Sequence, residues 1–392
     1  MVRVFGGSQS KLMTNINKLL QAASGVSTAT DYQLMSWGKG GDGQLGLGNT
    51  SSYSSPKTVG SATPWTKLSA PRHNEGGQNH VAAIQNGKLF TWGDNTDGEL
   101  GHGNTTAYSS PKQVGALTTW EEVSLGGQTM LAVKKDGTLW ACGDNWPFGS
   151  LGLGNTTSYS SPVQVGSLTN WSKVSASGSG LQRSAAIKTD GTLWTWGNGA
   201  DGVTGHGSTS NISSPAQVGA LTNWAEVSVG VKHMLAVKTD GTLWAWGKGS
   251  YGKLGLDNTT NYSSPVQVGS LTNWATPFAA GYFSAAVKTD GTLWTWGYGS
   301  YGKLGHGNTT TLSSPAQVGA LTNWSSEIGL WNMGMLAVKT DGTLWSWGMG
   351  NYGTLGHNNT TSLSSPAQVG SLTSWKVATT VGYGSGLAFY EP

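Results

Sequence analysis

Residues 234–247 read Met-Leu-Ala-Val-Lys-Thr-Asp-Gly-Thr-Leu-Trp-Ala-Trp-Gly, and this stretch decides the fold. Apolar residues fill both arms, and Asp240-Gly241 lies between them. Asp-Gly supplies the two positive-φ positions of a type I′ turn, which joins two antiparallel strands. The same turn recurs at Asp136-Gly137, Asp190-Gly191, Asp290-Gly291 and Asp341-Gly342, with Asn86-Gly87 as an equivalent. The stretch therefore predicts a β-hairpin that the chain repeats.

Three markers indicate that the hairpin belongs to a longer repeat. Trp-Gly pairs begin at Trp37, Trp92, Trp196, Trp246, Trp296 and Trp347, and Cys142-Gly143 takes the third position. Ser-Ser-Pro triplets and a second series of tryptophans, from Trp65 to Trp375, recur at the same interval of 50 to 55 residues. Two more short strands are expected around Gln217-Val218 and Trp224. Seven units of four strands each favour a closed β-propeller over an open solenoid.

The two ends of the chain are expected to close the ring. Asp31 to Gly38 matches the fourth strand of a unit, and Gly386 to Tyr390 matches the third. We therefore predict that the N-terminal strand completes the last blade, which leaves no open terminal blade. The predicted fold is all-β: a closed seven-bladed propeller of four-stranded blades over residues 31–392.

Residues 1–30 lie outside the repeat. Leu12, Ile16, Leu19 and Leu20 follow helical spacing, which predicts one short amphipathic helix. Two interpretations stay open: the helix packs on the propeller itself, or it anchors the chain to a larger assembly.

Composition excludes several function classes. Charged residues make up only 10% of the chain, and the net charge of +3 matches Arg3, Lys11 and Lys18, so the remainder is balanced. Binding to a nucleic-acid duplex needs clustered cations, so we expect no nucleic-acid partner. No apolar run is long enough for a membrane-spanning helix.

Several motifs suggest chemistry without supporting it. Gly-x-Gly-x-x-Gly recurs in five units, but a β segment follows each copy where a dinucleotide site needs a helix. Loop histidines lie at equivalent positions in different units and would not converge on one ion; they are His102, His206, His306 and His357. Cys142 is expected to be a buried residue. We predict no metal, no cofactor and no enzymatic activity, because nothing brings a nucleophile, base and orienting group together.

The repeat resembles the regulator of chromosome condensation (RCC1-like) family. The resemblance covers residues 31–392 and is clearest in Leu293–Asn308 followed by Ser313–Val318. It implies a seven-bladed propeller closed by a shared blade. Members of the family include nucleotide exchange factors for a small GTPase, secreted enzyme inhibitors, and bacterial and phage proteins.

Two departures point towards the bacterial and phage branch. A histidine that often precedes the hairpin in the family is present only as His80 and His233, and successive units are nearly identical. The low charge content also predicts thin acidic and basic surfaces, meaning surface patches with few charged residues. This argues against an exchange factor, which would present such patches to its partners.

Variation between units predicts the binding residues, because scaffold positions hardly change. Two loop sets vary: one before the first strand of the hairpin, and one after Trp-Gly. Aromatic residues there would supply rigid contact area to a protein or glycan. The candidates are Arg183, Lys232, His233, Tyr282, Phe283, Trp331, Met333 and Tyr383 in the first set, and Trp146, Phe148, Tyr251, Tyr301 and Tyr352 in the second.

The sequence favours a non-catalytic binding or structural propeller. Our first hypothesis is a bacteriophage virion protein, in capsid decoration or in a tail that attaches to the host. Its partners would be other virion proteins or a host-surface protein or glycan, and homo-oligomers within the assembly are left open. The alternatives are an exchange-factor-like regulator of a small GTPase and a secreted enzyme inhibitor, located in the cytoplasm or outside the cell.

Overall fold

The computed structural model describes residues 32–71, 79–177, 182–382 and 384–392. These residues form 28 strands in seven four-stranded antiparallel sheets. Each sheet is one blade, and the hydrophobic clusters lie between neighbouring blades. The predicted closed propeller is confirmed.

The blades follow the chain, and the first strand of each is the innermost. Blade I contains β3 (Trp65–Ser69), β4 (His80–Gln85), β5 (Lys88–Gly93) and β6 (Tyr108–Gln113). Blade II contains β7 (Trp120–Leu125), β8 (Thr129–Lys134), β9 (Leu139–Gly143) and β10 (Tyr159–Gln164). Blade III contains β11 (Trp171–Ser177), β12 (Arg183–Lys188), β13 (Leu193–Gly197) and β14 (Ile212–Gln217). Blade IV contains β15 (Trp224–Val229), β16 (His233–Lys238), β17 (Leu243–Gly247) and β18 (Tyr262–Gln267).

The remaining blades repeat this order. Blade V contains β19 (Trp274–Ala279), β20 (Phe283–Lys288), β21 (Leu293–Gly297) and β22 (Leu312–Gln317). Blade VI contains β23 (Trp324–Trp331), β24 (Gly334–Lys339), β25 (Leu344–Gly348) and β26 (Leu363–Gln368). Blade VII contains β27 (Trp375–Val381), β28 (Ser385–Tyr390), β1 (Tyr32–Gly38) and β2 (Tyr53–Thr63).

The ring closes in blade VII, as expected, but the N-terminus supplies two strands and not one. β1 pairs with β28, with Leu34 opposite Phe389, and β2 then pairs with β1. The difference arises because each Ser-Ser-Pro strand joins the sheet of the Trp-Gly strand before it. There it forms the outer edge of the blade, where a proline without an N–H is tolerated.

In five blades the Asp-Gly turn is fixed by a short hydrogen-bond relay, shown here for blade IV. Only the glycine of the pair has a positive φ, +75° at Gly241, so the hairpin is confirmed but its turn is not the expected type I′. The Thr242 hydroxyl donates to Asp240 Oδ1 at 2.6 Å, and Trp244 Nε1 donates to Thr242 Oγ1 at 2.9 Å. The Lys238 ammonium lies 3.6 Å from the centroid of the Trp244 ring, in cation–π geometry. The same set of contacts recurs in blades II, III, V and VI.

The Trp-Gly tryptophans join each blade to the one before it. Trp246 Nε1 donates to the backbone carbonyl of Val203 at 2.7 Å, across the boundary of blades III and IV. Equivalent bonds are made by Trp37, Trp92, Trp196, Trp296 and Trp347. In blade II the weaker thiol donor of Cys142 lies 3.7 Å from the carbonyl of Glu99. Cys142 is buried, and burial raises the pKa of its thiol.

The innermost strands surround a central channel of about 380 Å³. Its wall carries the ion pair Lys67–Glu122 at 2.8 Å and a second pair, Lys173–Glu226. Neighbouring strands are also tied by serines, since Ser228 Oγ accepts from Ala279 N at 2.9 Å. The channel is therefore polar and its charges are largely paired internally.

The helical elements of the described residues are short 3-10 turns in the loops after Trp-Gly: Ala200–Gly202, Ser250–Gly252, Ser300–Gly302 and Asn351–Gly353. No helix in the described ranges is long and apolar enough to cross a membrane. The predicted N-terminal helix, with Leu12, Ile16, Leu19 and Leu20, lies outside the described residues.

Candidate functional site

The two variable loop sets lie on the same face of the ring. In blade V, Gly297 is paired with both Phe283 and Leu312, so the loop between β19 and β20 and the loop between β21 and β22 leave the sheet at one end. The rings of Tyr251 and Tyr282, one from each loop set, have centroids 6.0 Å apart. We call this side the loop face, and the side with the Asp-Gly turns the hairpin face.

Four of the predicted binding residues are prominently exposed on the loop face. The exposed fractions are 68% for Trp146, 45% for Tyr251, 48% for Tyr301 and 61% for Tyr352. Four others are half-buried: Phe148, Lys232, Tyr282 and Met333. Tyr383 lies outside the described residues.

The other four predicted binding residues are buried. Arg183, His233 and Phe283 each begin the second strand of a blade and lie opposite the glycine of a Trp-Gly pair. These three strands are buried along their whole length, so the three side chains lie in the contacts between blades and not in solvent. Trp331 ends β23 and is 2% exposed. The expectation of direct surface contact therefore does not hold for them in this structure.

Their hydrogen bonds show what the buried polar residues do. Arg183 donates from Nε to the carbonyl of Asn198 at 3.1 Å and from Nη1 to the carbonyl of Val231 in the next blade. His233 Nε2 lies 2.8 Å from Ser284 Oγ. These side chains hold neighbouring loops together beneath the loop face.

Three exposed tyrosines occupy a backbone conformation that is rare for their type. The φ angles are +62° for Tyr251, +61° for Tyr301 and +59° for Tyr352. Bulky residues seldom adopt this left-handed region, and such strain concentrates at functional positions. The equivalent position in blade III holds Asp201 with a φ of +61°, so the loop shape is common and the tyrosine is particular to blades IV, V and VI.

Among the described residues, acidic side chains outnumber basic ones on the loop face over blades VII, I, II and III. We call Asp42, Asp94, Asp97, Asp144 and Asp201 the acidic sector; Lys39 lies in the same stretch. Three of these carboxylates accept hydrogen bonds from amides of the next blade. The donors are Asn79 to Asp42 at 2.6 Å, Gln128 to Asp97 at 2.9 Å and Gln182 to Asp144 at 2.6 Å.

Tyrosines and lysines replace the aspartates over blades IV and V. We call Tyr251, Tyr282, Tyr298, Lys253 and Lys303 the tyrosine–lysine sector. The Tyr251 and Tyr298 ring centroids are 4.6 Å apart. Lys303 Nζ lies 4.6 Å from the Tyr298 centroid. Lys232 and Lys248 lie beside this sector and are half-exposed.

Burial sets the pKa values of the ionisable groups beneath the loop face. Burial, followed by repulsion from Lys248 and Lys232, lowers the pKa of Lys253 to about 7. Burial lowers the pKa of Lys303 to about 8. Burial raises the pKa of Glu99 to about 7. Three groups beneath the loop face therefore have pKa values close to neutral pH, because burial disfavours their charged forms.

The grouped aspartates correct the expectation of a thin acidic surface, whereas the basic surface stays small, because Lys253 and Lys303 are buried and only Lys232 and Lys248 are half-exposed there. Composition counts charges but carries no information on where the ring places them. Loop positions of successive blades become neighbours on one face, so aspartates from four consecutive blades form one sector. Lysines from the next two blades form another. The sequence contains a signal for this arrangement. The loop that follows Trp-Gly holds aspartate in the earlier units and tyrosine in the later ones.

The loop histidines serve the scaffold. His206 Nε2 lies 2.9 Å from Thr195 Oγ1, and the Thr195 hydroxyl donates to the carbonyl of Thr204. Because that hydroxyl proton is used, His206 Nε2 carries the proton and donates. The same arrangement holds for His102, His306 and His357. No group of three or more metal-ligating side chains lies close enough to hold an ion within the described part of the chain.

Comparison with known proteins agrees with this architecture. A family model described as an RCC1-like domain matches residues 33–390. The chain is 32% identical over 206 residues to the E3 ubiquitin-protein ligase HERC2 of Homo sapiens, which covers 52% of this chain and 4% of HERC2. It is 34% identical over 166 residues to the X-linked retinitis pigmentosa GTPase regulator of Homo sapiens, covering 41% of this chain and 16% of that protein. The chain thus spans only a small part of the length of either relative.

A solved structure matches the whole ring. Prp20p from Saccharomyces cerevisiae, described with its binding properties to Gsp1p and histones, superimposes with a TM-score of 0.79. The sequence identity is 16%, and the match covers 93% of this chain and 92% of that one. At this identity the similarity establishes the fold alone. Since the family model covers nearly the entire chain, the protein belongs to the RCC1-like domain family.

Proposed function

We propose that this propeller is a non-catalytic protein-binding module that regulates a small GTPase through its loop face. The observation that carries the proposal is the division of that face into an acidic sector and a tyrosine–lysine sector, beside which the half-exposed Lys232 and Lys248 carry the positive charge at the surface. Complementary charge sectors orient a protein partner and speed its association, and exposed aromatic rings supply the anchoring contacts. Both are gathered on one face.

Family membership supports the regulatory part of the proposal. One relative is named a GTPase regulator, and its matched segment is 34% identical to this chain. The ligase activity in the name of HERC2 is not carried over, because the match covers 4% of that protein. The first hypothesis from the sequence, a virion protein that attaches to a host or glycan, gains no support from the named relatives, which come from Homo sapiens and Saccharomyces cerevisiae.

A nucleotide-release assay tests the proposal. Small GTPases of the source organism are loaded with a fluorescent GDP analogue, and release is followed with and without the propeller. We expect one GTPase to change its release rate at least tenfold and to bind the propeller in a pull-down. If no GTPase changes its rate and none binds, the proposed function is wrong.

A further inference from the structure

Blade VII has no tight turn between its second and third strands, because these strands come from opposite ends of the chain. The second strand, β28, ends at Tyr390, and the third strand, β1, begins at Tyr32. In each of the other six blades the turn glycine accepts a hydrogen bond from the backbone of the tryptophan that begins the next blade. The bond from Trp274 N to the carbonyl of Gly241, for example, is 3.0 Å long. Blade I therefore begins beside the place where this turn is missing.

A mostly apolar cleft of about 350 Å³ lies at this place. Its lining includes residues at the start of blade I and residues of blade VII: Pro64, Trp65, Thr66, Tyr32, Val377 and Phe389. The rings of Tyr32 and Phe389 are stacked, with centroids 6.0 Å apart. Trp65 is 6% exposed, whereas the six equivalent tryptophans are 2–3% exposed. The cleft thus leaves open an apolar surface that the turn covers in the other blades.

The described part of the chain starts at this cleft. Gln33, which follows Tyr32, is paired with Tyr390, and Tyr390 is also paired with Trp375. Trp375 begins an innermost strand at the hairpin face, since its backbone N–H donates to the turn glycine Gly342. Residues 1–31 therefore join the ring at the cleft, on the side opposite to the loop face.

The segment that precedes Tyr32 carries apolar residues suited to this cleft. They follow helical spacing and are Leu12, Ile16, Leu19 and Leu20. Burying aliphatic side chains against an open apolar surface is favourable. The chain between Leu20 and Tyr32 is long enough to reach every part of the cleft, at roughly 3.3 Å per extended residue.

The mouth of the central channel, beside the cleft, has a surplus of negative charge. The inner strands carry three carboxylates and two ammonium groups at equivalent positions: Glu122, Glu226, Glu327, Lys67 and Lys173. Both lysines are paired, and Glu327 takes part in none of the ion pairs found among the described residues. Val377 lines both the channel and the cleft. Lys376, at the cleft, is paired with Glu391 at 3.1 Å.

The charge of the segment complements this surplus. Residues 1–30 contain Arg3, Lys11 and Lys18 and no acidic residue. A cation brought to the channel mouth would meet the half-buried carboxylate of Glu327. Apolar and charged residues of the segment therefore match the same part of the hairpin face.

We propose that the N-terminal segment, residues 1–31, occupies this cleft in its own chain. Its apolar side chains cover Trp65 and the stacked rings of Tyr32 and Phe389, and one of its cations pairs with Glu327. The segment then packs on the propeller itself and is not the anchor to a larger assembly. Because the cleft is on the hairpin face, this contact is independent of the proposed GTPase contact on the loop face.

Disulfide trapping in the full chain tests the proposal. Cysteines replace Asn15, which lies on the apolar side of the segment, and Thr66, which is exposed at the cleft. The natural cysteine, Cys142, is buried and does not compete. We expect an intramolecular disulfide between positions 15 and 66 to form in a glutathione redox buffer, and we measure its rate.

Two sets of serine substitutions separate docking from simple tethering, since neither changes where the segment joins blade VII. Leu12→Ser, Ile16→Ser and Leu20→Ser remove apolar side chains and are expected to slow the disulfide by about tenfold or more. Thr14→Ser, Asn17→Ser and Gln21→Ser are the matched control and are expected to leave the rate unchanged. Equal rates in all three proteins would show that only the tether brings the cysteines together, which would overturn the proposal.

The charge pairing has its own test. Glu327→Gln is expected to slow the disulfide by about threefold at low salt and to have no effect at high salt, where the ion pair is screened. An unchanged rate at low salt would remove Glu327 from the site.

Two further results would overturn the proposal. A disulfide that forms mainly between two chains would place the segment in the cleft of a second copy. Absence of any disulfide, although both thiols react with a labelling reagent, would show that the segment does not reach the cleft. The nucleotide-release assay does not depend on either result, so the proposed function and this inference can fail separately.

Discussion

Trp296 Nε1 donates a hydrogen bond to the backbone carbonyl of Lys253 at 2.9 Å. The bond joins blade V to blade IV, and the residue that accepts it carries a side chain of the tyrosine–lysine sector. Ser284 Oγ donates to the same carbonyl at 2.7 Å. The backbone of Lys253 is therefore fixed by the scaffold while its side chain is free to differ between blades. The ring holds variable residues in constant positions in this way.

Replacing Lys253 by glutamine is expected to stabilise the folded protein near neutral pH. The unfolded chain keeps this lysine protonated up to about its ordinary pKa of 10.5, whereas the folded chain loses the proton near pH 7. The unfolded state thus binds more protons between these values, and stability rises with pH across that window. We expect Lys253→Gln to gain on the order of 2 kcal/mol at pH 7.

Chemical denaturation at pH 7 and pH 10 measures this effect. The advantage of Lys253→Gln over the wild type is expected to shrink as the pH approaches 10, because both states of the wild type then lose the proton. Lys88→Gln serves as the control and is expected to show no such trend. An advantage that is the same at both pH values would contradict the burial of a charged Lys253.

Acid is expected to destabilise the ring partly through its loop histidines. Burial, followed by repulsion from Lys112, lowers the pKa of His102 to about 4 from an ordinary value of 6.5. Between those values the unfolded chain binds the proton and the folded chain does not, so stability falls as the pH drops from 6.5 to 4. Since His102 is half-exposed, we expect roughly 1 kcal/mol from this group.

His102→Leu tests the acid effect with a residue that the fold accepts, since Leu47, Leu153 and Leu256 take the same position in other blades. Thermal unfolding followed from pH 7 to pH 4 is expected to show a smaller loss for the variant than for the wild type. Parallel curves for the two proteins would show that His102 is not the group responsible.

Trp246→Phe is expected to weaken the contact between blades III and IV. The change removes the hydrogen bond to Val203, leaves that carbonyl without its donor and opens space around a fully buried ring. We expect a loss of roughly 2–3 kcal/mol in the free energy of unfolding. Trp244→Phe is the control, since Trp244 is half-buried and its Nε1 contacts a threonine hydroxyl within its own blade. Equal losses for the two variants would contradict the role of Trp246 in joining blades.

Tyr301→Asn is expected to separate stability from binding. Asparagine accepts a φ of +61° more readily than tyrosine does, so we expect a gain of roughly 0.5–1 kcal/mol in stability. The same change removes an exposed ring, so partner affinity is expected to fall. Denaturation and a pull-down on the same variant measure both effects. A variant that is less stable and binds the partner fully would refute the claim that Tyr301 keeps its strained backbone for partner binding.

The sequence was sufficient to predict the ring because its signals are local and repeated. Asp240-Gly241 determines a hairpin, and the recurrence of Trp-Gly sets the number of blades. The local pattern does not show that each Ser-Ser-Pro strand pairs with the Trp-Gly strand before it, because a long glycine-rich loop separates the two strands and no two-residue turn signal joins them. Proline in those segments was the available signal for an outer edge strand.

The site was predicted less completely, because exposure and grouping depend on the assembled ring. Tyr251 and Tyr301 were recognised as variable aromatics and are exposed. Phe283 and Trp331 were selected on the same grounds and are buried, since one begins a fully buried strand and the other ends an inner strand. Lys253 and Lys303 were missed, because in the sequence a lysine after Tyr-Gly looks like an ordinary exposed loop residue.

The most direct test of the account compares two matched pairs of variants in their affinity for the GTPase identified in the release assay. Tyr251→Asn with Tyr301→Asn alters the loop face at residues that are 45% and 48% exposed. Leu221→Asn with Leu271→Asn alters the hairpin face at residues that are 46% and 47% exposed. The account predicts at least a tenfold loss of affinity for the tyrosine pair and none for the leucine pair. A loss confined to the leucine pair would place the partner on the hairpin face and contradict the central claim.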